Sequence, residues 1–120
     1  LAALGATLAI APSIAIAYAP LWAMGTGESA SASDIEPMHR AIRAHLARID
    51  PELAVRARIV YGGPFTPDDA LAFLDAEDVD GVLVGMPAVD LEAFVAIARL
   101  ADRLARGAES ILAAERTVAL

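Results

Sequence analysis

Ile14-Ala-Ile-Ala-Tyr18-Ala-Pro20-Leu-Trp22-Ala-Met-Gly25-Thr-Gly27-Glu-Ser-Ala30 decides how the chain is read. The apolar run Ile14 to Tyr18 has the near-continuous pattern of a parallel strand buried on both faces. Pro20 breaks it into a loop with an aromatic anchor, Trp22, and two glycines, Gly25 and Gly27. Beyond it, Ser31-Ala-Ser-Asp34 reads as a capping box that opens a helix. Strand, glycine loop and helix start thus follow one another within about twenty residues.

Two further units repeat that plan. After Asp34, Ile35, Met38, Ile42, Leu46 and Ile49 recur at helical spacing, and Asp50-Pro51 ends the helix. Pro37 fits only if the first regular turn starts late, near Ser33 or beyond. Arg58 to Tyr61 is a second apolar run, stopped by Gly62-Gly63-Pro64. Thr66-Pro67-Asp68-Asp69 starts the next helix. The Asp80-Gly81 turn leads into a third strand, Val82 to Val84, which ends at Gly85-Met86-Pro87. Asp90 caps a long helix through about Arg106, leaving Gly107 to Leu120 as a tail of weak helical character. This alternation predicts an α/β fold with a parallel sheet. It is one domain over 1–120: an apolar lead-in, 1–13, three βα units, 14–106, and the tail, 107–120.

Composition bounds the rest. The chain has 120 residues, 58% of them hydrophobic, and about a quarter are alanine. It has no cysteine, which rules out disulfides and thiolate chemistry, and its two histidines lack metal-ligand spacing, so no metal site is expected. The net charge of −7 speaks against nucleic acid as a partner. The arginines at 40, 43, 48, 56 and 58 read as a solvated face rather than a binding patch. No charge occurs from Leu1 to Gly27, yet Pro12, Pro20 and the missing basic flanks argue against a membrane span or signal peptide. Opening on Leu1 rather than Met is the expectation for a piece of something longer.

In parallel βα folds, ligands meet the loops at the carboxyl ends of the strands. Glycines there let the backbone approach a ligand, and helix starts offer N–H groups to anions. The three glycine loops in order point to an anion site. Glu36, Asp68, Asp69 and Asp90 read as helix-start acids, and His39 and His45 as surface histidines on the first helix.

The opening stretch resembles the sixth strand and closing lid of the triosephosphate isomerase family, whose pattern there reads A-Y-E-P-V-W-A-I-G-T-G-K-T-A. Tyr61-Gly62-Gly63 is similar to that family's Y-G-G-S, and Asp80 to Gly85 to its D-G-x-L-V-G-G. The resemblance covers Ile14 to Leu100 and implies the last three βα units of a TIM (β/α)8 barrel. It implies a cytoplasmic, cofactor-free isomerase of glycolysis and gluconeogenesis, usually a homo-oligomer. Such an enzyme interconverts an aldose and a ketose phosphate, with a glutamate base, a neutral histidine, a lysine and a lid that excludes water, a familiar case of pKa tuning.

Carried over residue by residue, the resemblance makes Gly25, Gly62, Gly63 and Gly85 contacts for the substrate phosphate. It makes Pro20, Trp22, Ala23, Thr26 and Gly27 parts of the lid. Ala19 stands where the glutamate base is expected, Glu28 where the lid has lysine, Pro64 where it has serine, and Met86 where it has a second glycine. A methyl group takes no proton, and loss of a general base costs orders of magnitude in rate. The histidine and lysine come from earlier strands and have no counterpart here. The expectation is therefore an isomerase-family chain that is inactive as given. Two other readings stay open: a non-catalytic binding or interaction module, or the back half of a longer sugar-phosphate isomerase. Three βα units leave two sheet edges open, so a homo-oligomer or another partner is expected to cover them.

Overall fold

The computed structural model describes residues 13–26, 28–85 and 90–118, with side chains through 109. The lead-in up to residue 12, Gly27 and Met86 lie outside the described residues.

Three parallel strands lie in sequence order: β1 (Ala15–Tyr18), β2 (Arg58–Tyr61) and β3 (Gly81–Val82). Ala15 sits opposite Arg58 and Tyr18 opposite Tyr61, while Val60 and Tyr61 face Gly81 and Val82. The helices are α1 (Ala32–Ile49), α2 (Pro51–Arg56), α3 (Ala70–Leu74) and α4 (Leu91–Val118). Each strand is followed by helix, which is the βα repeat the sequence predicts.

Side chains alternate across a strand, so a sheet with helices on one side buries every second residue. Ile14, Ile16 and Ile59 pack with Leu46, Leu53, Ala54 and Ala57 under α1 and α2. Tyr61, Phe65, Phe73 and Ile97 form the other core cluster, with Tyr18 and Val82 against it. The opposite face of β1 is open: Ala15, Ala17 and Ala19 are exposed. The expectation of a strand buried on both faces fails here for that reason.

The helix starts are built locally. Ser31 Oγ accepts from the Asp34 N–H, and Asp34 Oδ2 accepts from the Ser31 N–H at 2.9 Å, a closed capping box. The Ser31 hydroxyl, and after it the Ser31 N–H, donate to the Asp34 carboxylate and hold it below the usual carboxylate range. Thr66 and Asp69 make the same reciprocal pair, and Asp69 is lowered for the same reason. Asp90 Oδ1 accepts from the Glu92 and Ala93 N–H groups.

Four sequence expectations change. α1 begins at Ala32 with Pro37 inside it; both Ser33 and Pro37 are exposed, so the carbonyl that Pro37 leaves unpaired meets water. Asp50 ends α1 and also caps α2, a one-turn helix the sequence reading lacked. Gly81 belongs to β3 rather than to a turn, and Val84 lies beyond the ladder. α4 runs through Gly107 to Val118, so the tail is helix as far as Val118. Among the described residues no helix is long and apolar enough to cross a membrane.

Candidate ligand site at the strand ends

β1 delivers Ala19 to its carboxyl end, where it is exposed. Pro20 is buried and starts a 3-10 turn, Leu21–Ala23, closed by the Ala23 N–H to the Pro20 carbonyl at 3.0 Å. The turn directs Ala23 into the core, fully buried, and leaves Trp22 49% exposed. Ala23, not the expected Trp22, is the anchor. Gly25 has φ +76°, a left-handed conformation that favours glycine. Thr26 Oγ1 donates to the Trp22 carbonyl at 3.1 Å and accepts from the Glu28 N–H, fixing the turn from inside.

The second loop is held by aromatic packing. Tyr61 is fully buried, stacks on Phe73 at 4.4 Å, and donates its hydroxyl to the Pro64 carbonyl at 3.1 Å. Burial pushes the Tyr61 phenol up. Gly63 passes directly over that ring: a Cβ there would lie 2.2 Å from Tyr61 Oη. The Gly62 N–H donates to the Tyr18 carbonyl at 2.9 Å, tying the second loop to the first.

The two loops and the end of β3 enclose a cavity of about 320 Å³. Met24, Gly25, Gly62, Gly63, Pro64, Phe65, Leu83 and Gly85 line it. All four glycines singled out in the sequence are therefore brought together at one place. Pro20, Trp22, Ala23 and Thr26 shape the lid turn without lining the cavity. Among the described residues no charged side chain lines it, and Ala19 offers no acid or base.

Behind the site, four residues have roles the sequence did not show. His39 is fully buried, contrary to the surface expectation. Its Nδ1 lies 3.3 Å from the Asp78 carbonyl, which makes Nδ1 the protonated nitrogen. Its ring meets Tyr18 edge-on at 5.8 Å, and Nε2 has no partner among the described residues. Desolvation pulls the imidazole below its ordinary value, against the Asp78 and Asp80 groups that raise it. His45 is partly buried. Asp80, read as a turn residue, accepts from the Ile59 N–H at 2.7 Å and pairs with Arg43. Arg43 also donates to the Ala54 carbonyl at 2.9 Å, so it ties α1 to α2 and, through Asp80, to the start of β3, rather than belonging to a solvated face. Arg40 binds Asp78 and Glu36, so Glu36 serves an ion pair and not the helix start. Apart from the i,i+4 pair of Glu36 and Arg40, no local signal marks these partners, which lie up to 39 residues apart.

Parallel βα units with a cavity at the strand carboxyl ends are the arrangement found in a portion of a (β/α)8 barrel. The family model for triosephosphate isomerase matches residues 2–101. Triosephosphate isomerase of Aliivibrio fischeri (strain MJ11) is 46% identical over 86 residues, covering 72% of this chain and 34% of that protein. The Moritella marina enzyme is 45% identical over 86 residues, with the same coverage. That of Vibrio vulnificus (strain YJ016) is 43% identical over 89 residues, 74% of this chain and 35% of the relative. The chain belongs to the triosephosphate isomerase family. It spans about a third of the length of the curated relatives it matches, and the family match reaches back into the lead-in, beyond the Ile14 boundary read from the residues.

Proposed function

We propose that this chain is the lid-bearing, carboxyl-terminal portion of a triosephosphate-isomerase-family barrel that binds a small ligand and does not isomerise it. The carrying observation is Ala19, exposed at the end of β1 at the position of the family's base, beside a cavity that no carboxylate lines among the described residues. Without a base, proton transfer between adjacent carbons loses its main accelerator. Gly25, Gly62, Gly63 and Gly85 form the cradle, the place where the family holds the phosphate of a sugar phosphate. The open alanine face of β1 and the two sheet edges that are unpaired among the described residues need covering, by a second copy or by another βα partner. The compartment that fits this reading is the cytoplasm, as the resemblance to the family implies.

A second reading is favoured by the relatives' length. Since each is about three times as long as the matched part, this chain also fits as the back of a longer isomerase. An isomerase assay with glyceraldehyde phosphate, run on the protein at the full length its native source makes, separates the two. The proposed reading expects no turnover above buffer; turnover proportional to protein concentration overturns it.

A further inference from the structure

The fully buried imidazole of His39 uses one of its two nitrogens. Nδ1 donates to the Asp78 carbonyl, and Nε2 has no partner among the described residues. A neutral ring tolerates this, because an unprotonated Nε2 is one missed acceptor. An imidazolium does not: its charge and its second N–H would both be left unpaired away from water.

The charged groups around the ring are already engaged. On α1, Arg40 pairs with Glu36 and Asp78, and Arg43 pairs with Asp80. In the segment before β3, Asp78 and Asp80 are therefore held by those arginines, Asp80 also takes the Ile59 N–H, and Glu77 acts on Arg40. From β1 comes the Tyr18 ring, edge-on at 5.8 Å. Desolvation accordingly outweighs the pull of Asp78 and Asp80 on the imidazole.

Tyr18 links this ring to the strand end. Its carbonyl accepts from the Gly62 N–H at 2.9 Å, which ties the two loops together. Two residues on, the buried Pro20 starts the turn that seats Ala23 in the core and carries Trp22. A shift of Tyr18 away from α1 thus disturbs both the Gly62 bond and the lid turn.

We propose that His39 is a proton-operated latch: taking up a proton opens the contact between α1 and Tyr18 and loosens the lid turn and the Gly62 bond before the fold as a whole gives way. This goes beyond the reading of the glycine cradle as a ligand site, and its test needs no ligand.

The unaltered protein serves for the test, since Trp22 is the chain's only tryptophan and His39 and His45 its only histidines. Between about pH 7.5 and 5, proton NMR follows the two imidazoles, with His45→Asn to assign them, and a nitrogen-15 glycine label follows the Gly62 amide. Trp22 emission reads the lid turn, and far-ultraviolet circular dichroism reads the helices. The Gly62 and Trp22 signals should move with the same midpoint as His39, below about 6.5, while the dichroism stays constant. His39→Asn should abolish both movements. Tyr18→Val should leave His39 titrating and lose most of the Trp22 response. The proposal is overturned by a His39 that does not titrate before the helices are lost, by one that titrates without Gly62 and Trp22, or by a Trp22 response that survives either variant. If His39→Asn fails to fold, the shared midpoint and Tyr18→Val decide.

Discussion

Replacing Gly63 by alanine should be among the most costly single-methyl additions this chain can receive. The new Cβ would sit 2.2 Å from Tyr61 Oη, 2.5 Å from Cζ and 2.8 Å from Cε2. The end of a tyrosine usually gives way, but this ring is fully buried, stacked on Phe73 and bonded to the Pro64 carbonyl. Overpacking of this kind costs about 1–3 kcal/mol, and losing the hydroxyl's bond adds about 1 kcal/mol, so Gly63→Ala should destabilise by about 2–4 kcal/mol. Gly62→Ala is the internal comparison, because its Cβ would meet its nearest neighbour at 3.6 Å, ordinary contact. Urea unfolding at one fixed protein concentration reads both variants. If the two variants unfold at the same midpoint, Tyr61 does not hold the second loop as described.

Other perturbations follow from the same geometry. Asp80→Ala strips the acceptor from the Ile59 N–H and the partner from Arg43, and should cost about 2–3 kcal/mol in urea unfolding; a loss under about 0.5 kcal/mol would contradict that anchoring. His39 titrates below its ordinary 6.5 when folded, so the unfolded chain binds more protons just below that pH. Its stabilising effect is complete above about 6.5 and is lost as pH falls toward the folded value; His39→Asn should flatten the stability decline between about pH 7.5 and 5.5, and an unchanged slope would refute this. Ser31→Ala removes the α1 cap and should lower stability by about 1 kcal/mol, read from the shift in thermal midpoint. Ala19→Glu alone should restore no turnover, because the family's lysine and histidine have no counterpart among these residues; a clear gain with glyceraldehyde phosphate would oppose that view.

How far the sequence reached depends on the range of the forces involved. Ser31 with Asp34, Thr66 with Asp69, and Asp90 with its two amides are bonds between near neighbours, so their residue types announce them. β2 was legible to the residue because Gly62-Gly63-Pro64 stops it sharply. The four glycines could be placed at one site from their positions after apolar runs. α2 was not legible, since a one-turn helix rests on Asp50 serving two helices at once. Gly107 misled in the other direction: glycine often follows a helix end, but α4 passes through it. His39 and Asp80 escaped for a different reason. Their surroundings are made by Tyr18, Asp78, Ile59 and Arg43, brought together only by the fold. The apolar walls of the cavity were visible one by one, as Pro64 and Leu83, but their convergence required the sheet register.

The account turns on whether any group in this chain removes a proton from a carbon beside a carbonyl. Deuterium incorporation answers that more directly than product formation. Glyceraldehyde phosphate is incubated with the chain in heavy water, and loss of the proton α to the carbonyl is followed by proton NMR. With Ala19 at the base position, the exchange rate should equal that of buffer. Exchange above buffer that rises in proportion to the folded chain would contradict the account and return the chain to the catalysts of its family.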